Sequence, residues 1–133
     1  HPLIDVAELS LVRGFDDGVR ARLRPFVTAL PRTTAVNVNT AAAELLVALI
    51  DGLDIDQARA LIAHRDRTYF RGVPDFISQL PRELKVAAET ITVSSIYFMA
   101  TPRVTIGPAE ARGTALLARE GAGWPVVVWR KTS

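Results

Sequence analysis

The chain contains no cysteine. That excludes disulfide bridges and thiolate metal centres, and it removes any redox clue to the compartment. No apolar run approaches the ~18–20 residues that a membrane-spanning helix needs. The first residues, HPLIDVAEL, lack the charged and apolar regions of a signal peptide, and the abrupt start at His1 reads like that of a fragment or processed product. Histidine is nearly absent too: beyond His1 only His64 occurs. Metal-dependent hydrolysis calls for clustered histidines and carboxylates, and nucleophilic catalysis for a positioned base beside a Ser or Cys elbow. Neither pattern is here, so the chain reads as a non-enzyme. Lysine is scarce, with fourteen of the sixteen basic residues being arginine, and fourteen acidic residues nearly cancel them. The pI of about 9.5 therefore reflects a small excess with no basic tract, which argues against a general polyanion binder.

What is present is an ordinary globular balance, 49% hydrophobic and 23% charged over 133 residues. That suits one domain or two small units. Residues 5–30 read as two helical pieces. Asp5 and Glu8 have capping-box spacing, Gly14 ends the first piece, Asp16 can cap the second, and Pro25 and Pro31 break it. Val6, Leu9 and Val12, then Val19, Leu23 and Phe26, predict a shared buried face.

The most informative stretch is 36–76. Val36-Asn37-Val38-Asn39-Thr40 alternates apolar and polar, with Asn39 or Thr40 suited to cap a helix over Ala41–Ile50. Gly52 stands where a left-handed residue ends a helix, and Asp54 with Gln57 opens another over Ile55–Arg65 with Ile55, Ala58, Leu61 and Ile62 as its apolar stripe. Two short helices around a tight turn predict a helix-hairpin-helix (SAM-like) unit, with Asn37, Asn39, Thr40, Gly52 and Asp54 as its structural motif. Further short helices are expected after Pro74, packing Phe76 and Leu80, and after Pro81.

Hairpins of this kind grip nucleic-acid backbone through exposed amides at a Gly-rich turn. This turn has one glycine among Asp51, Asp54 and Asp56, and three carboxylates there repel phosphate. A structural or protein-binding use is favoured over a competence-type DNA-binding module. Those aspartates suggest a calcium site in type of ligand, yet the EF-hand spacing is missing and capping accounts for Asp54. Asn37 and Asn39 could recognise a ligand, although turn and capping work suits them better.

From about Thr90 the composition becomes β-rich. Ile91-Thr92-Val93 opens the tail, Ile96–Ile106 has strand character with Pro102 as an edge or bulge signal, and Ala109–Arg119 alternates weakly. Glu120–Gly123 is a turn before a strand over Trp124–Arg130. Trp124 and Trp129 flank that strand, one expected in the core and the other exposed at an interface. The fold class is α+β: a helical domain over 1–89 followed by a three-stranded antiparallel meander over 90–133.

Taken in order, Asp5–Leu9, Leu11–Phe15, Val36–Ala41, the hairpin, Arg71–Phe76 and Ser94–Phe98 resemble the type II secretion system protein K family, the large minor pseudopilins. The resemblance covers nearly the whole chain. It implies a pilin-type sheet carrying an inserted helical domain, of which this chain corresponds to the later helices and the closing strands. The hydrophobic pilin helix that anchors such proteins lies outside the part matched. The resemblance further implies the periplasmic portion of an inner-membrane-anchored protein of a Gram-negative bacterium. Its place would be the tip of the pseudopilus with the other minor pseudopilins, assisting export of folded proteins across the outer membrane. Secreted substrates are further candidate partners, and nucleic acid is not expected. Some family members bind calcium, but no ligand set can be placed on these residues.

Overall fold

The computed structural model describes residues 5–132. The four residues at the chain start therefore lie outside it. The chain divides into two compact units, His1–Ser94 and Ser95–Ser133.

The first unit opens with a 3₁₀ turn, Val6–Leu11, whose N-terminus is capped by the Asp5 carboxylate accepting from the Ala7 N–H at 2.9 Å. Helix α1, Asp17–Leu23, is capped by Asp16, which accepts from the Val19 N–H at 2.8 Å. The buried face expected over 5–30 does not close. Val6, Leu9, Val19 and Leu23 are half-buried, while Val12 and Phe26 are exposed. These two short elements line an open apolar groove with Phe15, Val27 and Leu30, so neither hides a complete stripe.

The core lies in 36–94. Strand β1, Val36–Asn37, leads into α2, Ala43–Leu49, which a turn joins to α3, Ile55–Arg67; α4, Val73–Ser78, follows. Val38, Leu46, Ile50, Phe70 and Phe76 are almost completely enclosed, with Leu53, Ala58, Leu61, Leu80 and Ile91 around them. The predicted stripe of α3 splits, with Ala58 and Leu61 buried and Ile55 and Ile62 packed at the margin. Phe70 stacks on His64 at 5.4 Å and meets Phe76 edge-on at 5.1 Å, so the lone interior histidine serves as a ring partner. After Pro81 the chain makes a single turn, Leu84 N–H to Pro81 C=O, in place of the expected helix. A 3₁₀ turn at Ala88–Thr90 then delivers β2, Ile91–Thr92.

Strand β2 does not open the sheet of the tail. It pairs in parallel with β1, Val36 against Ile91 and Asn37 against Thr92, and so belongs to the first unit. A parallel pair needs a long crossover. Here the crossover is the whole helical segment between residues 37 and 91, a relation of distant positions that no local pattern encodes.

The second unit is an antiparallel sheet of β3, Tyr97–Ala100, β4, Arg103–Ile106, β5, Ala109–Ala118, and β6, Val126–Thr132. Four strands stand where three were expected, and Pro102 is the reason. Strands β3 and β4 pair with successive halves of β5 in one unbroken register, Tyr97 with Ala118 through Arg103 with Arg112 to Ile106 with Ala109. They amount to one edge strand interrupted at a residue that has no N–H to give. The Gly113 N–H still reaches the Pro102 carbonyl at 3.0 Å. Gly107, at φ +59°, and Pro108 turn the chain between paired Ile106 and Ala109, as a two-residue hairpin with glycine first requires. Strand β6 begins at Val126 and not at Trp124, since Pro125 cannot join the ladder. A register shift opposite Leu116/Leu117 then alters the facing of the β6 residues. Trp124 is 94% exposed, and Trp129 is half-buried beside Leu116.

Candidate interaction site

The site is built on the segment entering α2, the turn between α2 and α3, and the exit from α3. At the entrance, the Asn37 side chain accepts from the Asn39 N–H at 2.9 Å, an Asx turn, while the Asn37 carbonyl accepts from Thr40 and Ala41. The Thr40 hydroxyl bonds back to the Asn37 carbonyl at 3.4 Å. Neither Asn39 nor Thr40 caps α2. Its N-cap is Ala42, with no side-chain hydrogen bond. The helix begins two residues later than its composition suggested, because Asn39 is engaged elsewhere. Its amide nitrogen donates to the carbonyls of Phe70, 2.9 Å, and Val93, 3.2 Å, and its oxygen accepts from the Phe70 N–H at 2.8 Å. One side chain thus ties its own segment to two distant ones and satisfies both backbone groups of the buried Phe70.

Arg65 makes a second long-range tie. Its guanidinium donates to the carbonyls of Val38 at 2.8 Å and Ala41 at 2.6 Å, and its side chain is only 13% exposed. Arg65 stands in the last turn of α3, where any cation complements the helix end. Its reach to the start of α2 is a tertiary fact, without a signal in spacing.

At the other end of α2, the Leu53 N–H bonds to Ile50, and Gly52 adopts φ +80° between them. A Cβ on Gly52 would stand 2.9 Å from the Leu84 side chain, so both conformation and space call for glycine. Asp54 opens α3 with a complete capping box: its carboxylate accepts from Gln57 N–H at 2.8 Å, and Gln57 accepts from Asp54 N–H at 2.9 Å. Of the predicted motif residues, Asn37, Asn39 and Thr40 come together in one turn. Gly52 and Asp54 form a second, separated from the first by α2, about 10 Å of helix.

Asp51, Asp54 and Asp56 are exposed; Asp54 is used by its cap and Asp56 pairs with Arg59 at 3.4 Å. Among the described residues no three His, Asp or Glu side chains gather as a metal site, so the aspartates do not fit the calcium reading. No described helix is long and apolar enough to cross a membrane.

Residues 36–94 match the family model described as type II secretion system (T2SS), protein K. The matched stretch starts at β1 and ends where the first unit ends. The chain is 37% identical over 96% of its length to the type II secretion system protein K of Klebsiella pneumoniae, covering 41% of that protein. It is 35% identical over 77% of its length to that of Pseudomonas aeruginosa, covering 31%. Among solved structures, it superposes over its full length with TM-score 0.77 and 28% identity on a chain in the crystal structure of the GspK-GspI-GspJ complex of the enterotoxigenic Escherichia coli type 2 secretion system, covering 49% of that chain. The chain thus spans less than half the length of each of these proteins.

Proposed function

This chain carries the family segment of type II secretion system protein K over residues 36–94, within similarity that runs along nearly all of it, and on that premise we propose that it serves in a minor pseudopilin. Its role is non-catalytic: to assemble with other minor pseudopilins at the pseudopilus tip, so that folded proteins are exported across the outer membrane. The observation that carries this reading is the full-length superposition on a chain solved within a complex of such proteins.

Within this reading, the α2–turn–α3 pair is a helix-hairpin-helix used as scaffold, its acidic turn unsuited to phosphate. The 95–133 sheet is the closing part of a pilin-type sheet. Its register places Phe98, Val104, Ile106, Leu117 and Val127 on one face, four of them substantially exposed. An apolar pilin helix elsewhere in the full protein would cover such a face. The location that follows is the periplasmic side of the inner membrane of a Gram-negative bacterium, with secreted proteins as possible cargo contacts.

The test is reconstitution. The full-length protein, purified with the other minor pseudopilins of its own organism, should elute with at least one of them as a stoichiometric complex. Separate elution in every combination would sink the proposal.

A further inference from the structure

Beyond the scaffold, the exit of α3 displays a small surface of defined chemistry. Thr68 ends the helix in extended backbone, φ −148° and ψ 108°. Extended chain alternates its side chains. Phe70 points into the core at 1% exposure, so Tyr69 and Arg71 on either side point outward. Tyr69 is 66% exposed although it adjoins the most tightly held backbone of the unit. Asn39 fixes Phe70 at both its N–H and its C=O, and the Arg71 N–H donates to Asp75 at 3.0 Å. Arg67, in the last turn of α3, is exposed as well. Neither Arg67 nor Arg71 has a carboxylate partner for its guanidinium among the described residues. Asp66, beside Arg67 in sequence, lies 4.0 Å from the Arg65 guanidinium, and the Asp75 carboxylate is engaged by the Arg71 backbone N–H.

Resting on the function proposed above, we propose that Arg67, Tyr69 and Arg71 form a docking patch for an acidic segment of a partner pseudopilin. Tyrosine and arginine are the residues in which binding energy concentrates at protein interfaces. A rigid backbone lowers the ordering cost of using them. Charge complementarity sets the occupant: two guanidiniums without an ion-pair partner among the described residues donate to carboxylates, in bidentate geometry where the partner allows it. The macrodipole accounts for a cation at Arg67, at the helix end. It accounts for neither the outward tyrosine nor Arg71 beyond the helix. A polyanion is the poorer fit, because α3 is acidic at its other end, roughly 20 Å away, where Asp51 and Asp56 would meet the same strand.

The experiment measures affinity of the full-length protein for its purified minor pseudopilins by calorimetry. Tyr69→Ala, and separately the pair Arg67→Glu with Arg71→Glu, should each weaken binding about tenfold or more, and the wild-type affinity should fall as salt rises. Lys85→Glu, a charge reversal elsewhere in the unit, should leave it unchanged. All are surface changes, and matched melting curves confirm that folding is intact. Unchanged affinity in the patch variants, with wild type still bound, overturns this inference and leaves the proposed function standing. Equal weakening by Lys85→Glu overturns it too, since net charge would then suffice. Duplex DNA bound by wild type and released by the patch variants assigns the patch to phosphate and overturns it. Failure of wild type to bind any minor pseudopilin removes both proposals together.

Discussion

The segment 36–94 and the sheet 95–133 are built on opposite principles. Twelve of the thirteen fully buried hydrophobic residues described lie in the first; only Leu116 lies in the second. The helical segment closes on itself through Phe70, Phe76 and Leu46, locked by polar side chains that reach across it. The sheet is held by its ladder, and it leaves Phe98, Met99, Val104, Ile106 and three valines of β6 open to solvent. A hydrogen-bonded ladder defines shape without burying much apolar area, and burial supplies most of the folding free energy. One region therefore encloses its apolar side chains, while the other leaves several large ones exposed.

The contrast can be broken in four places, from the largest expected effect to the smallest. Phe76→Ala empties a fully enclosed ring site and should cost about 3–5 kcal/mol, read as loss of the cooperative urea transition of the helical unit. Asn39→Ala strands the N–H and C=O of Phe70 and the carbonyl of Val93. It should cost about 2–3 kcal/mol, and hydrogen exchange at Phe70 should rise more than at Leu46. Gly52→Ala forces an L side chain to positive φ against Leu84 and should cost about 1–2 kcal/mol, with part of the loss recovered when Leu84 is shortened to Ala in the same chain. Val104→Thr on the sheet should change stability by less than ~0.5 kcal/mol while reducing self-association in light scattering. A loss as large as that of Phe76→Ala at Val104 would mean that the two regions are not built differently after all.

Local chemistry was legible wherever a contact spans three or four residues. The caps at Asp5, Asp16 and Asp54, the glycine at 52, and the interruption at Pro102 all follow from what one side chain can do to the backbone beside it. Asn39 shows where that reasoning ends. Its residue type and position suit a helix cap equally well, and a cap was expected. The tertiary structure offered three backbone partners contributed by Phe70 and Val93, and these outcompeted the local one. Arg65 is the same case from the other side, a helix-end cation recruited to carbonyls 24 and 27 residues earlier. The open face over 5–30 erred for a different reason. Apolar spacing states which side can be buried and not whether anything arrives to bury it.

By itself, then, the sequence determined the mixed helix-and-sheet class of the molecule, the caps at Asp5, Asp16 and Asp54, and its family resemblance, since all of these depend on residue type and short spacing. Only the tertiary structure decided that Ile91–Thr92 joins Val36–Asn37 in a parallel pair, that Asn39 and Arg65 act as long-range ties, and that Tyr69 is held outward on a fixed backbone. Each of those depends on residues tens of positions apart meeting in space, and the free energy of that meeting is written in no local stretch of chain.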